Sequence, residues 1–313
     1  DAFKYLSQLR SLNISDCKIK GSHFSKNLLA PLTKLFALDI SFNPINAMRC
    51  LEEALTGISN SSLSVLVLND VFSRYQKAVT VTKQVVDKLP RKLLYLEARE
   101  NCIETFDPDV IEILPKTLKY IDVGNNKFIY GKYFLNLTAL ENLETLMLNG
   151  GGFLHSFPSA FLPRGKTNKE NPLVFKLPPK LQYLDISISG LEYAIFRIEL
   201  SHNNSLRYLN MGSNYFPVFH DPFIGFENLI YMDLSKASIE YFGEHFFSGF
   251  KSLKHLRLAS NNLGKWLDKE NRKPFSCLKN LTTLDLSNTQ IIHFGSDVFN
   301  GLSNVEVLLL DMN

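Results

Sequence analysis

A fixed spacing of apolar residues and one amide recurs along the whole chain. It is most complete in L-K-H-L-R-L-A-S-N-N-L at 253–263, which follows the pattern L-x-x-L-x-L-x-x-N-x-L. Successive copies begin 23 to 38 residues apart, mostly within or close to the roughly 20 to 29 residues typical of leucine-rich repeats. Eleven complete copies and a twelfth ending at Asn313 begin at Leu9, Leu35, Leu63, Leu93, Leu118, Leu143, Leu181, Leu206, Leu229, Leu253, Leu281 and Val305.

This spacing predicts one short strand per repeat, with a buried and an exposed face. Alternate residues of an extended segment point to opposite sides, so Leu256 and Leu258 turn inward while Arg257 turns outward. One strand cannot bury its leucines alone, and neighbouring repeats must therefore stack in parallel. The sequence predicts an α/β solenoid, a leucine-rich repeat horseshoe with a concave parallel sheet of about 12 strands. Its convex side is expected to be irregular or short-helical, and residues 1–313 are expected to form a single domain.

The ninth place of the repeat is predicted to carry a ladder of buried amides. The chain leaves the strand there, and an Asn side chain can satisfy the peptide groups that the turn buries. This place holds Asn43, Asn101, Asn126, Asn214, Asn261 and Asn313, whereas the other copies have Cys17, Val71, Gly151, Ser189, Ala237 and Thr289. We expect a weakened ladder at these replacements and irregular curvature at Val71, Gly151 and Ala237.

Two patterns are expected to form the convex half of the core. Rings six residues before the repeat start are predicted to stack there, namely Phe3, Phe223, Phe247, Phe275 and Phe299. The middle repeats instead have Leu-Pro at 89–90, 114–115 and 177–178, which predicts an extended approach to the strand. A helix is predicted around 79–88. The segment 266–274, with the single tryptophan, is interpreted as either a solvated linker or a contact loop.

The composition gives no sign of catalysis or of metal binding. A net charge of +3 with 21% charged residues does not indicate nucleic acid as a partner, although charge alone does not decide this point. No nucleophile elbow, zinc-protease or dinucleotide motif occurs, and the stretch Gly165-Lys166-Thr167 lacks the first glycine of a phosphate loop. We therefore expect no enzyme activity, no cofactor and no metal.

The four cysteines are widely spaced and form no C-x-x-C pair, which argues against a zinc site. Cys17 occupies a ladder position and is predicted to be a buried thiol. The spacing does not determine whether Cys50, Cys102 and Cys277 pair with one another or with residues outside this sequence.

Five N-x-S/T sequons predict a secreted or lumenal protein; their asparagines are Asn13, Asn60, Asn136, Asn203 and Asn280. A glycan on Asn13 would stand on the concave face, because this residue falls between inward Leu12 and Ile14. Both ends of the chain interrupt a repeat. We expect a fragment of a longer array, whose secretion signal, caps and membrane anchor lie outside it.

A column of tyrosines on the concave face is the candidate binding surface. It comprises Tyr95, Tyr120, Tyr183, Tyr208 and Tyr231, interrupted by Thr145 and followed by His255. Aromatic side chains of this kind are enriched at protein interfaces, although they could equally support one another across strands. Arg164, Lys166 and Lys169, in the insertion after Leu148, would add a cationic rim suited to an anionic or mixed partner. Two places beyond the tyrosines lies an acidic column, interpreted as repeat filler; it comprises Asp39, Glu97, Asp122, Asp185, Asp233 and Asp285.

Several stretches resemble Toll-like receptor ectodomains. They include F-N-G-L-S-N-V at 299–305, L-D-L-S at 284–287 and F-I-G-F-E-N-L-I-Y-M-D-L-S at 223–235. The uneven repeat lengths and the incomplete amide ladder also favour this family. The resemblance implies a horseshoe ectodomain, on the cell surface or in the endosomal lumen, that binds microbial or endogenous ligands. It also implies signalling as a homodimer or heterodimer, but it assigns no ligand residues. The alternative is a secreted adhesion, matrix or antigen-binding repeat protein without a signalling role.

Overall fold

The computed structural model describes residues 2–25, 28–72, 78–127, 136–150, 174–189, 197–201, 203–220 and 222–313. The chain divides into two compact units, Asp1–Gly151 and Gly152–Asn313. We call them unit 1 and unit 2 and describe each by itself. Within the described ranges, no helix has the length and apolar character needed to cross a bilayer.

Unit 1 is built on a sheet of three-residue parallel strands. Its strands are β1 Ser11–Asn13, β2 Ala37–Asp39, β3 Val65–Val67, β4 Val79–Val81, β5 Tyr95–Glu97, β6 Ile103–Phe106, β7 Tyr120–Asp122 and β8 Thr145–Met147. Six of them form the sheet, in the order β1-β2-β3-β5-β7-β8, and β4 and β6 form a separate parallel pair. The helices α1 Met48–Thr56, α2 Lys83–Val86 and α3 Val110–Ile113 lie in the connections between sheet strands.

Unit 2 repeats this plan with almost no α-helix. Its strands are β9 Val174–Lys176, β10 Tyr183–Asp185, β11 Arg197–Glu199, β12 Tyr208–Asn210, β13 Val218–Phe219, β14 Tyr231–Asp233, β15 Tyr241–Phe242, β16 His255–Arg257, β17 Thr283–Asp285 and β18 Val307–Leu309. The sheet order is β10-β12-β14-β16-β17-β18, and β9–β11 and β13–β15 are small parallel pairs. One short helix, α4 Gly264–Leu267, lies among the described residues. The predicted leucine-rich repeat solenoid, with twelve parallel repeat strands and a short-helical or irregular convex side, is confirmed.

The repeat spacing explains the register of the sheet. The middle residue of each strand pairs with the middle residue of the next, as in Leu209, Met232 and Leu256. All three are fully buried, whereas the flanking residues, such as His255 and Arg257, are partly exposed. Each of these three-residue strands therefore turns its middle side chain toward the core and its two flanking side chains outward.

Each ladder asparagine serves the turn of the preceding repeat. The amide nitrogen of Asn261 donates to the carbonyl oxygens of Leu258, at 2.7 Å, and Leu234, at 2.9 Å. Its amide oxygen accepts the backbone N–H groups of Ala237, at 3.0 Å, and Ile239, at 2.9 Å. Asn261 thus joins the turn of its own repeat to the turn before it.

This arrangement shows where the ladder is weakened at the replaced positions. At five of them the backbone N–H is still bound by the asparagine of the following repeat, as it is at Asn101. The pairs are Cys17 with Asn43, Val71 with Asn101, Ser189 with Asn214, Ala237 with Asn261 and Thr289 with Asn313. A replacement instead removes the side-chain amide that would serve the turn of the preceding repeat. Gly151, the sixth position, lies outside the described residues.

The convex core of unit 2 is aromatic, as the phenylalanine spacing predicts. Phe247 and Phe275 are 3% and 0% exposed, and Trp266 lies 5.5 Å from Phe242 and 5.9 Å from Phe275 between ring centroids. Because Trp266 is 5% exposed within α4, its interpretation as part of a linker or contact loop is wrong. Its ring is packed in the core between neighbouring repeats.

Two further expectations also need correction. Residues 79–88 do not form one helix: β4 comes first, and α2 spans only Lys83–Val86, because 79–81 pair with β6 of the next repeat. Cys17 is exposed rather than buried. Its backbone N–H, rather than its thiol, binds the ladder residue Asn43. Its repeat also carries β1, the outer strand of the sheet. Cys50 and Cys277 are free thiols and Cys102 is buried.

Candidate ligand-binding face

The tyrosines form one ring stack in each unit. In unit 1, Tyr95 and Tyr120 lie 4.1 Å apart between centroids with their planes 6° apart. In unit 2, the ring centroid of Tyr208 lies 4.0 Å from that of Tyr183 and 4.4 Å from that of Tyr231, again with nearly parallel planes. Residues at the same place in paired parallel strands are about 4.8 Å apart, close to a stacking distance. The predicted stacking of neighbouring rings is confirmed, and its role in binding stays a prediction.

His255 continues the unit 2 stack less regularly. Its ring is tilted by 42° and lies 6.3 Å from Tyr231, and its Nδ1 lies 3.1 Å from the hydroxyl of Thr283 on the next strand. The cationic residues predicted to flank the column, Arg164, Lys166 and Lys169, lie outside the described residues. The described candidates therefore fall into a pair of rings in unit 1 and a run of four in unit 2.

The phenol groups are held by neighbouring polar atoms. The hydroxyl of Tyr95 donates to Oε1 of Glu97, and that of Tyr231 lies 3.4 Å from Oδ2 of Asp233. Burial is the main cause that raises the pKa of Tyr95, Tyr120, Tyr208 and Tyr231 above the ordinary value of a phenol. At neutral pH these groups are therefore neutral hydrogen-bond donors with one exposed edge.

The acidic column has a structural role that its interpretation as filler missed. Oδ1 of Asp122 accepts the backbone N–H of Gly124 at 2.9 Å, and Oδ1 of Asp233 accepts that of Ser235 at 2.8 Å. The same bond closes the turn after Asp39, Asp185 and Asp285. A recurring D-x-S/G triplet is the signal that predicts this local turn. These carboxylates end the strands and hold the tyrosine-bearing surface in place.

Two arginines pair with carboxylates of this column, and the sequence analysis did not single them out. Nη1 of Arg99 lies 2.6 Å from Oδ2 of Asp122 in unit 1. In unit 2, Arg257 lies between Asp233, at 3.5 Å, and Asp285, at 3.4 Å. Each arginine occupies the outward side of the sheet close to a tyrosine stack. The face is therefore aromatic at its centre and carries partly compensated charges around it.

Replacing Arg99 by methionine is expected to lower the free energy of unfolding by about 1–3 kcal/mol. The Asp122 side chain is only 5% exposed, whereas that of Arg99 is 29% exposed, so the substitution leaves a nearly buried carboxylate without its cation. Urea denaturation measures the effect. Lys119→Met is the matched control, because its pair with Glu144 is 55% and 40% exposed and such pairs contribute little. Equal losses in the two variants would contradict this role for Arg99.

All five predicted glycosylation sites are sterically open. The side chains of Asn13, Asn60, Asn136, Asn203 and Asn280 are exposed. Asn13 lies on β1, opposite Asp39 in the register of the sheet, and therefore on the face that carries the tyrosines of unit 1. Glycosylation itself stays a prediction.

Comparisons with known proteins agree with this architecture. A model of the leucine-rich repeat family matches residues 280–302. The chain is 23% identical to Toll-like receptor 4 of Pinctada imbricata over 365 residues, which cover 99% of this chain and 40% of that protein. Toll-like receptor 4 of Rattus norvegicus is 26% identical over 70% of this chain and 29% of its own length. The chain is a leucine-rich repeat array whose sequence is similar to these Toll-like receptors over most of its length.

The array spans less than half the length of the curated relatives it matches. Among solved structures, the Toll–Spatzle complex of Drosophila aligns with 92% of this chain and 34% of its own chain, at a TM-score of 0.65 and 20% identity. That likeness shows the fold. Within the part of the chain that the structure describes, no cluster of His, Cys, Asp and Glu could hold a metal ion.

Proposed function

We propose that the chain is the ligand-recognition part of an innate immune receptor of Toll-like type. It binds a microbial or endogenous ligand and pairs with a like or second receptor to signal. The similarity to proteins named Toll-like receptor 4, which extends over 99% of the chain in one case, supports this proposal. The solved Toll–Spatzle complex, described as a hub in development and innate immunity, shares the fold. The array would face the cell exterior or the endosomal lumen, anchored through a segment outside this sequence.

The observation that carries the proposal is the unit 2 stack of Tyr183, Tyr208 and Tyr231. The three rings stack face to face on three paired strands, so their exposed edges form one rigid amphipathic surface. Tyrosine has few rotatable bonds and loses little entropy on binding. Large aromatic side chains at the centre of an interface contribute much of the binding energy. A stack fixed by sheet register therefore suits a macromolecular partner.

Charge around the stack indicates which partners it suits. Arg257 adds a cation at the end of the stack beside His255, and the preceding insertion supplies Arg164, Lys166 and Lys169 in the sequence. Arg257 offsets one of the two negative charges of Asp233 and Asp285, so a net positive rim depends on the three basic residues of the insertion. With that rim, the face is expected to prefer an anionic or mixed partner, such as an acidic protein surface or a microbial polymer.

Tyr208→Ala in the full-length receptor is expected to weaken the response to an activating microbial extract. Loss of a central interface aromatic typically costs about 2 kcal/mol or more, which corresponds to a roughly thirtyfold higher half-maximal dose. Dose-response curves in reporter cells measure this shift, with surface expression and thermal stability checked in parallel.

Tyr215→Ala is the matched control, because this tyrosine lies in the same repeat but outside the stack and is 55% exposed. It should respond like the wild type. If Tyr208→Ala also does so, the rings serve only to support the sheet, as cross-strand pairs can, and the recognition surface lies elsewhere.

A further inference from the structure

Unit 1 contains an apolar cavity of about 110 Å³ between its sheet and its helices. On the sheet side it is lined by Leu96, Ile121 and Leu146, the inward residues of β5, β7 and β8. On the helical side it is lined by Leu51 of α1, Val86 of α2 and Ile111 of α3. These six side chains are all buried. The cavity therefore lies in the core rather than on the tyrosine-bearing face.

The side chains of the convex core differ between the two units, and this difference explains why the cavity lies in unit 1. In unit 2 this layer is filled by rings in mutual contact, such as Phe219, Phe242 and Phe246. In unit 1, α1, α2 and α3 contribute mainly Leu, Val and Ile to the same layer. Protein cores seldom hold voids larger than a water molecule, because unfilled space destabilises the fold. A void of this size in unit 1 thus calls for an occupant.

The lining chemistry indicates what that occupant is. The polar side chain in the lining is Asn101, which is 1% exposed. Its oxygen accepts the N–H groups of Val71 and Phe72, and its nitrogen donates to the carbonyl of Leu68. A buried water needs two to four polar partners, and this amide is already engaged on both of its polar atoms. The cavity therefore favours hydrocarbon over water.

We propose that this cavity binds one apolar group of about four to six carbon atoms, either a small free hydrocarbon or the end of an alkyl chain. The volume of about 110 Å³ equals roughly four water-sized groups of ~30 Å³ each. It is somewhat smaller than the ~150 Å³ engineered cavity, lined by Leu, Ile and Phe, that binds benzene or xenon. The site is formed within unit 1 and is independent of the proposed role of the unit 2 tyrosines.

Benzene is the probe for the free hydrocarbon, tested on the 313-residue chain by calorimetry and by the rise in unfolding temperature. Val86→Leu, which fills part of the cavity, is expected to weaken benzene binding at least tenfold without lowering the unfolding temperature. Val298→Leu is the matched control: Val298 is 1% exposed and Val86 is 2% exposed, but Val298 lies in unit 2, and benzene affinity should be unchanged. Val110→Ile adds a single methylene from α3 and serves as a second filling variant if Val86→Leu does not fold.

Octanoate distinguishes the two sources of the apolar group. Competition between octanoate and benzene, lost in the same filling variant, would show that an alkyl chain reaches the cavity from outside. Benzene binding without competition would show that the cavity takes small free hydrocarbons, and both outcomes support the proposal. It is overturned if benzene does not bind the wild-type chain up to its aqueous solubility, or if the folded filling variant binds it equally well.

Discussion

Replacing Phe246 by alanine is expected to lower the free energy of unfolding by about 3–5 kcal/mol. Phe246 is fully buried, and its ring centroid lies 4.9 Å from those of Phe242 and Phe247 and 5.0 Å from that of Phe219. Removing it deletes the ring that connects the convex layer of several repeats and leaves a void that close-packed neighbours fill only in part.

Fluorescence of the single tryptophan reports the transition directly, because Trp266 packs against Phe242 in the same layer. Ile292→Ala is the control for loss of apolar surface: Ile292 is 94% exposed, and the change should stay within about 0.5 kcal/mol of the wild type. A Phe246→Ala variant that unfolds within about 1 kcal/mol of the wild type would show that the layer closes around the missing ring.

Asn261→Ala is expected to cost about 3 kcal/mol or more, although it removes a smaller side chain. Asn261 is 1% exposed, and its amide binds two N–H groups and the carbonyls of Leu234 and Leu258. Each buried polar group left without a partner costs about 1–3 kcal/mol. Chemical denaturation followed by circular dichroism provides the measurement.

The neighbouring Asn262 supplies the matched control, because its side chain is exposed and accepts one bond, from the exposed Gln290. Asn262→Ala should change stability by less than about 0.5 kcal/mol. Equal effects at the two positions would mean that the turns find other partners, such as water, and that the ladder is not needed to stabilise them.

The parts of this structure that repeat from copy to copy could be predicted from the sequence. Leu256 is inward because of its own spacing, and Tyr208 stacks on Tyr231 because both occupy the third place of paired repeats. Neither prediction depends on a detail of side-chain packing. The solenoid and the ring stacks follow from the period alone.

The features that were missed depend on contacts between particular neighbours. Trp266 is buried because Phe242, from the repeat before it, and Phe275, from later in its own repeat, enclose its ring. The pairing of Arg99 with Asp122 joins two repeats across 23 residues of sequence. The cavity of unit 1 depends on the summed volumes of helices and strands, which no spacing pattern records. Sequence reasoning thus identified the face that carries the candidate site and missed the charges that complete it.

The direction of the amide ladder also limits how such a chain can gain or lose repeats during evolution. The turn at Ala237 depends on Asn261, whose repeat is followed by one with Thr289 at the same place. Deleting the repeat that begins at Leu253 would leave Ala237 facing a residue without an amide. Deleting the two repeats that begin at Leu229 and Leu253 removes the dependent turn together with the asparagine that serves it. The unit that this stretch can lose without leaving a turn unserved is therefore a pair of repeats. One repeat carries the dependent turn, and the next carries the asparagine that binds it.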